Sequence, residues 1–156
     1  LLTSNMPETC DVLVIANPIS DFTDAETEKI QNYIDNGGKI MWMQDPYLNI
    51  QNYNSDNYKN INKILGEFGI SFSYGIVCEE NSDNMIQGYP DALIPNMTYN
   101  EIVKNIYTDG KIVMADAGKI NTVDSDKLSE LKVTASSFIT SSSKSFYKEK
   151  LTSKES

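Results

Sequence analysis

Between Cys10 and Pro46 the chain reads as strand, capped helix, Gly-Gly, strand, and this stretch constrains the fold more than any other. Asp11 to Ala16 reads as an unbroken apolar run ending in Asn17-Pro18, with the first strand expected over Cys10 to Ala16. Thr23 and Glu26 have the spacing of a capping box, in which each partner satisfies an N–H left free by the first helical turn. Asp24, Glu26 and Glu28 crowd the early turns, where the helix dipole favours acids. Ile30, Tyr33 and Ile34 recur at helical spacing and should face a sheet. Gly37 or Gly38 supplies the positive φ that ends the helix. Lys39 to Gln44 is a second apolar run, ending in Asp45-Pro46. Strands this continuously apolar are expected to be buried on both faces, as in a parallel sheet covered by helices. The expected fold is therefore a three-layer α/β/α sandwich around a mainly parallel sheet, of flavodoxin-like arrangement.

What the chain lacks narrows its chemistry. It has no histidine, and its 13 basic residues, all lysine, face 22 acidic ones for a formal charge of −9. The commonest general base and the commonest transition-metal ligand are thus missing. So is the arginine fork that clamps phosphates and carboxylates. Net acidity argues against a nucleic-acid surface and disfavours docking on anionic lipid. The two cysteines, Cys10 and Cys78, could pair, but their spacing suggests no disulfide framework, and small buried hydrophobes are the usual fate of free thiols. Two thiols without histidine do not make a zinc site.

The length suits a single domain over residues 1–150, with 151–156 as a flexible tail. No apolar stretch is long enough to span a bilayer, and no signal peptide is visible. The chain opens on Leu1-Leu2, so the expectation is of a fragment whose membrane anchor lies outside it.

Further along, residues 46–57 form a long polar loop rich in Asn and Tyr. Tyr58, Ile61, Ile64, Leu65 and Phe68 mark an amphipathic helix stopped by Gly69. Residues 70–78 read as an edge strand and 79–84 as an acidic, turn-rich loop. Thr98 and Glu101 suggest a second capping box opening a short helix through Tyr107. Residues 111–115 read as another buried strand, 121–130 as loop or helical turn, and 131–140 as a late strand. The segment from Ser141, rich in Ser and Lys, is expected to fray towards its end.

In open α/β sheets, ligands bind beyond the carboxyl ends of the strands. Asn17, Asp45 and Asp116 each follow an apolar run and could converge there, with Glu79 and Glu80 beside them, to hold a divalent cation or a hydroxylated ligand. The plainer reading is that these residues cap the chain's exit from the sheet. Gly37-Gly38 lies at a helix end rather than a start, so it is no phosphate loop. Ser141 precedes Lys144 by three, a nucleophile spacing that arises often by chance. Trp42, inside an apolar run, reads as core, while Tyr47, Tyr53 and Tyr58 hint weakly at a contact surface.

The run from Asp11 to Pro46 resembles the auxiliary, extracytoplasmic component of an uncharacterised class of bacterial ABC transport systems, the gliding-motility-associated, GldG-type family. The likeness continues through residues 62–70, Gly75 to Val77, Ile94-Pro95 and Thr140-Ser141. It implies a soluble domain of class I glutamine-amidotransferase-like fold, with the first strand and helix missing here and membrane segments flanking it. It also implies partners among transporter permease and ATPase subunits or another membrane-associated protein. An amidotransferase would need a Cys nucleophile on a strand-to-helix turn with His as base. The turn after the second run offers Asp45-Pro46 instead. The leading expectation is a non-catalytic accessory domain without cofactor or metal, and the alternative is a carboxylate-based enzyme or a metal- or glycan-binding domain.

Overall fold

The first apolar run forms strand β1 (Val12–Ala16), and the capped segment forms helix α1 (Asp24–Asp35). The computed structural model describes residues 6, 7, 9–46, 55–73, 75–108 and 110–149. The long polar loop with Tyr47 and Tyr53, and the tail 151–156, lie outside them. Strand β2 (Lys39–Met43) follows and pairs with β1 in parallel, in a register that sets Val12 beside Lys39 and Ala16 beside Met43. The chain divides into two compact units, 1–71 with 122–133 and 72–121 with 134–156.

In the first unit the capping box is present in full: Glu26 N–H donates to Thr23 Oγ1 (3.2 Å) and Thr23 N–H to Glu26 Oε2 (2.9 Å). Thr23→Ala should therefore cost about 1 kcal/mol of stability in urea unfolding. Gly37, at φ +83°, makes the turn out of the helix. Gly38 is glycine for another reason, since a Cβ there would run into the Tyr33 ring. The Tyr33 hydroxyl lies 3.2 Å from the Cys10 carbonyl and accepts from Lys39 N–H (3.1 Å), so it joins the starts of both strands. Helix α2 (Lys59–Glu67), entered through a 3-10 turn at Ser55–Tyr58, buries Ile61, Ile64 and Leu65 as its spacing requires. Phe68 stays about one-third exposed, at 37%. Ile15, Ile30 and Ile64 form the core cluster, with Leu13, Phe22, Ile34, Ile40 and Trp42 packed against it. Trp42 meets Phe22 edge-on at 6.1 Å, as a core residue. Helix α3 (Ser125–Leu131), capped by Asp124 through Lys127 N–H (2.8 Å), packs Leu128 and Leu131 over Gly69.

Strand β3 (Ile70–Phe72) leads the chain into the second unit. There β4 (Ile76–Cys78), the two-residue β5 (Met85–Ile86), β6 (Tyr89–Leu93), β7 (Asn96–Met97), β8 (Met114–Ala115), β9 (Ile120–Thr122), β10 (Ile139–Thr140) and β11 (Phe146–Lys148) succeed one another. All of these but β9 build a three-stranded sheet β5-β6-β8 and the pairs β7-β10 and β4-β11, every pair antiparallel. Ile76, Cys78, Leu93 and Val103 are its buried apolar side chains. Both cysteines are free.

This corrects the expected architecture. A three-layer sandwich around a mainly parallel sheet, of flavodoxin or amidotransferase type, does not form; the chain builds small, mostly antiparallel sheets with few helices. The error lies in reading unbroken apolar runs as strands covered on both faces. Leu13, Ile15, Ile40 and Trp42 face the core, but Val12, Val14, Met41 and Met43 remain 48%, 52%, 52% and 42% exposed. An apolar side chain on the open face looks the same in sequence as one in a core.

Three local expectations fail as well. Residues 101–108 make turns instead of a helix, because the second capping box is taken apart by competing bonds. Thr98 N–H goes to the Phe138 carbonyl (2.9 Å), and the Glu101 carboxylate is shared between Tyr99 Oη (2.8 Å) and Lys104 Nζ (2.9 Å). The expected buried strand 111–115 is reduced to exposed Met114–Ala115, and the late strand to Ile139–Thr140. Phe146 to Lys148 pair with β4, and the far end of the chain, where fraying is expected, lies outside the described residues.

Candidate functional site

Two of the three residues singled out at strand ends come together. Asn17 leaves β1 at φ +45°, in the left-handed region where Asn is among the few tolerated side chains. Its N–H donates to the Met43 carbonyl (2.7 Å), its Nδ2 to Asp45 Oδ2 (2.8 Å), and its Oδ1 accepts from Gln44 Nε2 (3.2 Å) and Asp45 N–H (3.3 Å). Gln44 in turn accepts from Trp42 Nε1 at 3.3 Å. Asn17 therefore uses both ends of its amide to lock the exits of two parallel strands together. Asn17→Ala, which keeps the backbone cost and loses the bonds, should destabilise by about 1–2 kcal/mol; Asn17→Gly should lose less, because glycine relieves the positive φ. Equilibrium unfolding of the two variants side by side checks that order.

Asp116 belongs to the second unit, where it also adopts a left-handed φ of +50° and donates its N–H to the Asp91 carbonyl (3.0 Å). It works in the turn after β8. Among the described residues no three His, Cys, Asp or Glu side chains gather in a way that could hold a metal ion.

The loop between β1 and α1 is tied to the start of α2. Asp21 accepts from Asn60 N–H (3.0 Å) and Ile61 N–H (2.9 Å), and so satisfies two of the free donors at that helix end. Asn60 returns bonds to the Phe22 carbonyl (2.8 Å) and Asp24 Oδ1 (3.0 Å), and Tyr58 Oη donates to the Ile19 carbonyl (3.1 Å). Burial, with the nearby Asp21 charge, pushes the Tyr58 phenol up. Between this loop and β1 lies an open cavity of about 470 Å³ whose walls include Leu13, Ile15, Ile19, Phe22 and Ile30.

The residue that sequence reasoning placed wrongly is Glu79. It does not join an acidic site; it is turned inward and only 1% exposed. Its Oε1 accepts from Glu80 N–H (3.0 Å), Asn81 N–H (3.0 Å) and Ser142 Oγ (2.7 Å), and its Oε2 from Ser142 N–H (3.1 Å). Burial by itself would raise its pKa, but the Asn81, Ser142 and Glu80 donors outweigh it and hold the carboxyl below the ordinary value. Ser142, not Ser141, is thus the functional end of that serine run, and its function is structural. Ser141 Oγ lies 2.6 Å from Ser145 Oγ.

The locks just described serve backbone more than solvent. A family model described as an ABC-type uncharacterized transport system matches residues 2–146, and the chain belongs to that family of auxiliary transport components. Among solved structures it is similar to an mmIFT52 N-terminal domain, with 22% identity and a TM-score of 0.57, over 87% of this chain and 54% of that one. The chain thus spans about half the length of that neighbour, and the likeness extends to the fold alone. No curated protein matches it.

Proposed function

We propose that this chain is a non-catalytic accessory domain of a membrane-associated ABC-type transport system, held on the extracytoplasmic side, where it binds the permease and ATPase assembly or another membrane-associated protein. The family match over nearly the whole chain carries this reading. The gliding-motility-associated branch is the relative whose role it would share. The polar residues at the strand ends support a non-catalytic part, because Asn17, Gln44 and Asp45 bond to one another and Glu79 bonds to backbone. The carboxylate-based alternative would need Asp45 and Asp116 to act together, whereas one is bonded to Asn17 and the other serves a turn. Among the described residues no helix is long and apolar enough to cross a membrane. Protease added outside spheroplasts carrying the full-length protein should digest this domain while a cytoplasmic marker stays intact. Protection of the domain until the cells are lysed would overturn the extracytoplasmic placement.

A further inference from the structure

Glu79 stands directly after β4, and Ser142 lies 63 residues further on, in the turn that leads into β11. The carboxylate therefore clasps the two segments where their pairing begins: Cys78 lies beside Phe146 in the register, Val77 beside Tyr147 and Ile76 beside Lys148. Three residue pairs make a short ladder, and a two-stranded ribbon by itself is marginal in water. Val77 N–H donates to the Ala117 carbonyl (2.8 Å) and Glu79 N–H to the Pro90 carbonyl (2.8 Å). Backbone groups alternate sides along a strand, so those of Ile76 and Cys78 face β11. Residues 142–148 thus form a strap laid along one side of β4 and fastened at its leading end by Glu79.

The fastening depends on the charge state of Glu79. Its oxygens are met by four donors, the N–H groups of Glu80, Asn81 and Ser142 and the Ser142 hydroxyl. An ionised carboxylate only accepts, whereas the acid form carries an O–H that needs an acceptor of its own. Among these partners the added proton would meet a donor, and one N–H would lose its acceptor at a position that is 1% exposed. Burial opposes ionisation here, and the donors outweigh it, so the carboxyl titrates below its ordinary range. The surrounding charges are Glu80, next in the chain, Lys144 in the strap's turn, and Asp91 on β6, Lys148 on β11 and Asp116 after β8, which act on the adjacent Cys78 thiol. At the other end of the strap, Lys119 stands over the Tyr147 ring at 5.6 Å and keeps its charge in acid. We propose that residues 142–148 are an acid-released strap: protonation of Glu79 lets them lift from β4 while the rest of the second unit stays folded, and so uncovers the backbone edge of Ile76 and Cys78.

Hydrogen exchange followed residue by residue, with each rate divided by its intrinsic value at that pH, reads the strap directly. Between about pH 7 and about pH 3 the Ile76, Cys78 and Ser142 amides should lose protection about tenfold or more. Those of Val77, Glu79 and Ile94, bonded to the Ala117, Pro90 and Asn84 carbonyls, should keep theirs. Glu79→Gln should lower protection at the first three amides already at neutral pH and leave little further change in acid, which sets the other carboxylates aside. Ser142→Ala removes one donor from the carboxylate and should move the opening to higher pH. It leaves Glu79 itself in place, so the titration stays readable even if the glutamine variant fails to fold. Protection of Ile76 and Cys78 that is unchanged in acid overturns the proposal. So does its loss together with Val77, Glu79 and Ile94, since the unit would then be unfolding as one. A Glu79→Gln protein that opens over the same acid range as the wild type overturns it too, because another group would be the trigger.

Discussion

Glu79→Ala should be the most damaging single change to a charged residue, costing about 3 kcal/mol of stability in thermal or urea unfolding. The expectation follows from what is left behind. Three backbone N–H groups and one hydroxyl lose their acceptor at a position that is 1% exposed, and water has little access to replace it. Glu79→Gln keeps one oxygen for Glu80, Asn81 and the Ser142 hydroxyl but turns an amide donor towards Ser142 N–H, so about 1 kcal/mol is expected. The same bonds give the site a pH signature. The folded-state pKa lies below the ordinary value of 4.5, so the stabilisation is fully present above about that pH and is lost as pH falls through the depressed folded value. Subtracting the Glu79→Gln stability curve from the wild-type curve removes the other carboxylates, and the difference should shrink on acidification. A flat difference would mean that Glu79 is not ionised in the fold.

Ile61→Ala should cost about 3 kcal/mol, and Ile61→Val about 1 kcal/mol. Ile61 is 0% exposed, and its backbone N–H is already held by Asp21, so the helix start stays fixed and the lost side chain leaves a cavity. Ile19, 72% exposed, is the control: its replacement by alanine should change stability by less than about 0.5 kcal/mol. Equal losses at the two positions would place the core elsewhere.

These two residues also mark how far the sequence could be read. Ile61 was legible because its signal is local: apolar residues at helical spacing before Gly69 announce α2, as Thr23, Glu26 and Gly37 announce α1. The strands β1 and β2 were legible for the same reason, and the pairing of Asn17 with Asp45 followed from their parallel register. Which face of those strands is covered was not, because Val14 and Ile15 are equally apolar and only the packing of α1 distinguishes them. Glu79 was hidden because its partner Ser142 is 63 residues away and no spacing rule links them. The second unit fared worst. Its strands are mostly two or three residues long, too short for an alternating pattern to register. Asp116 was grouped with Asn17 and Asp45 on the assumption of one parallel sheet, and it belongs instead to the second unit, in the turn after β8.

The measurement that tests the account most directly is affinity purification of the tagged full-length protein from detergent-solubilised membranes, with bound proteins identified by mass spectrometry. The account predicts co-purification of ABC-type permease and ATPase subunits that is lost when residues 6–149 are deleted and the rest of the protein is retained. Recovery of those subunits at the same level without this domain, or failure to recover them with it, would contradict the role assigned here.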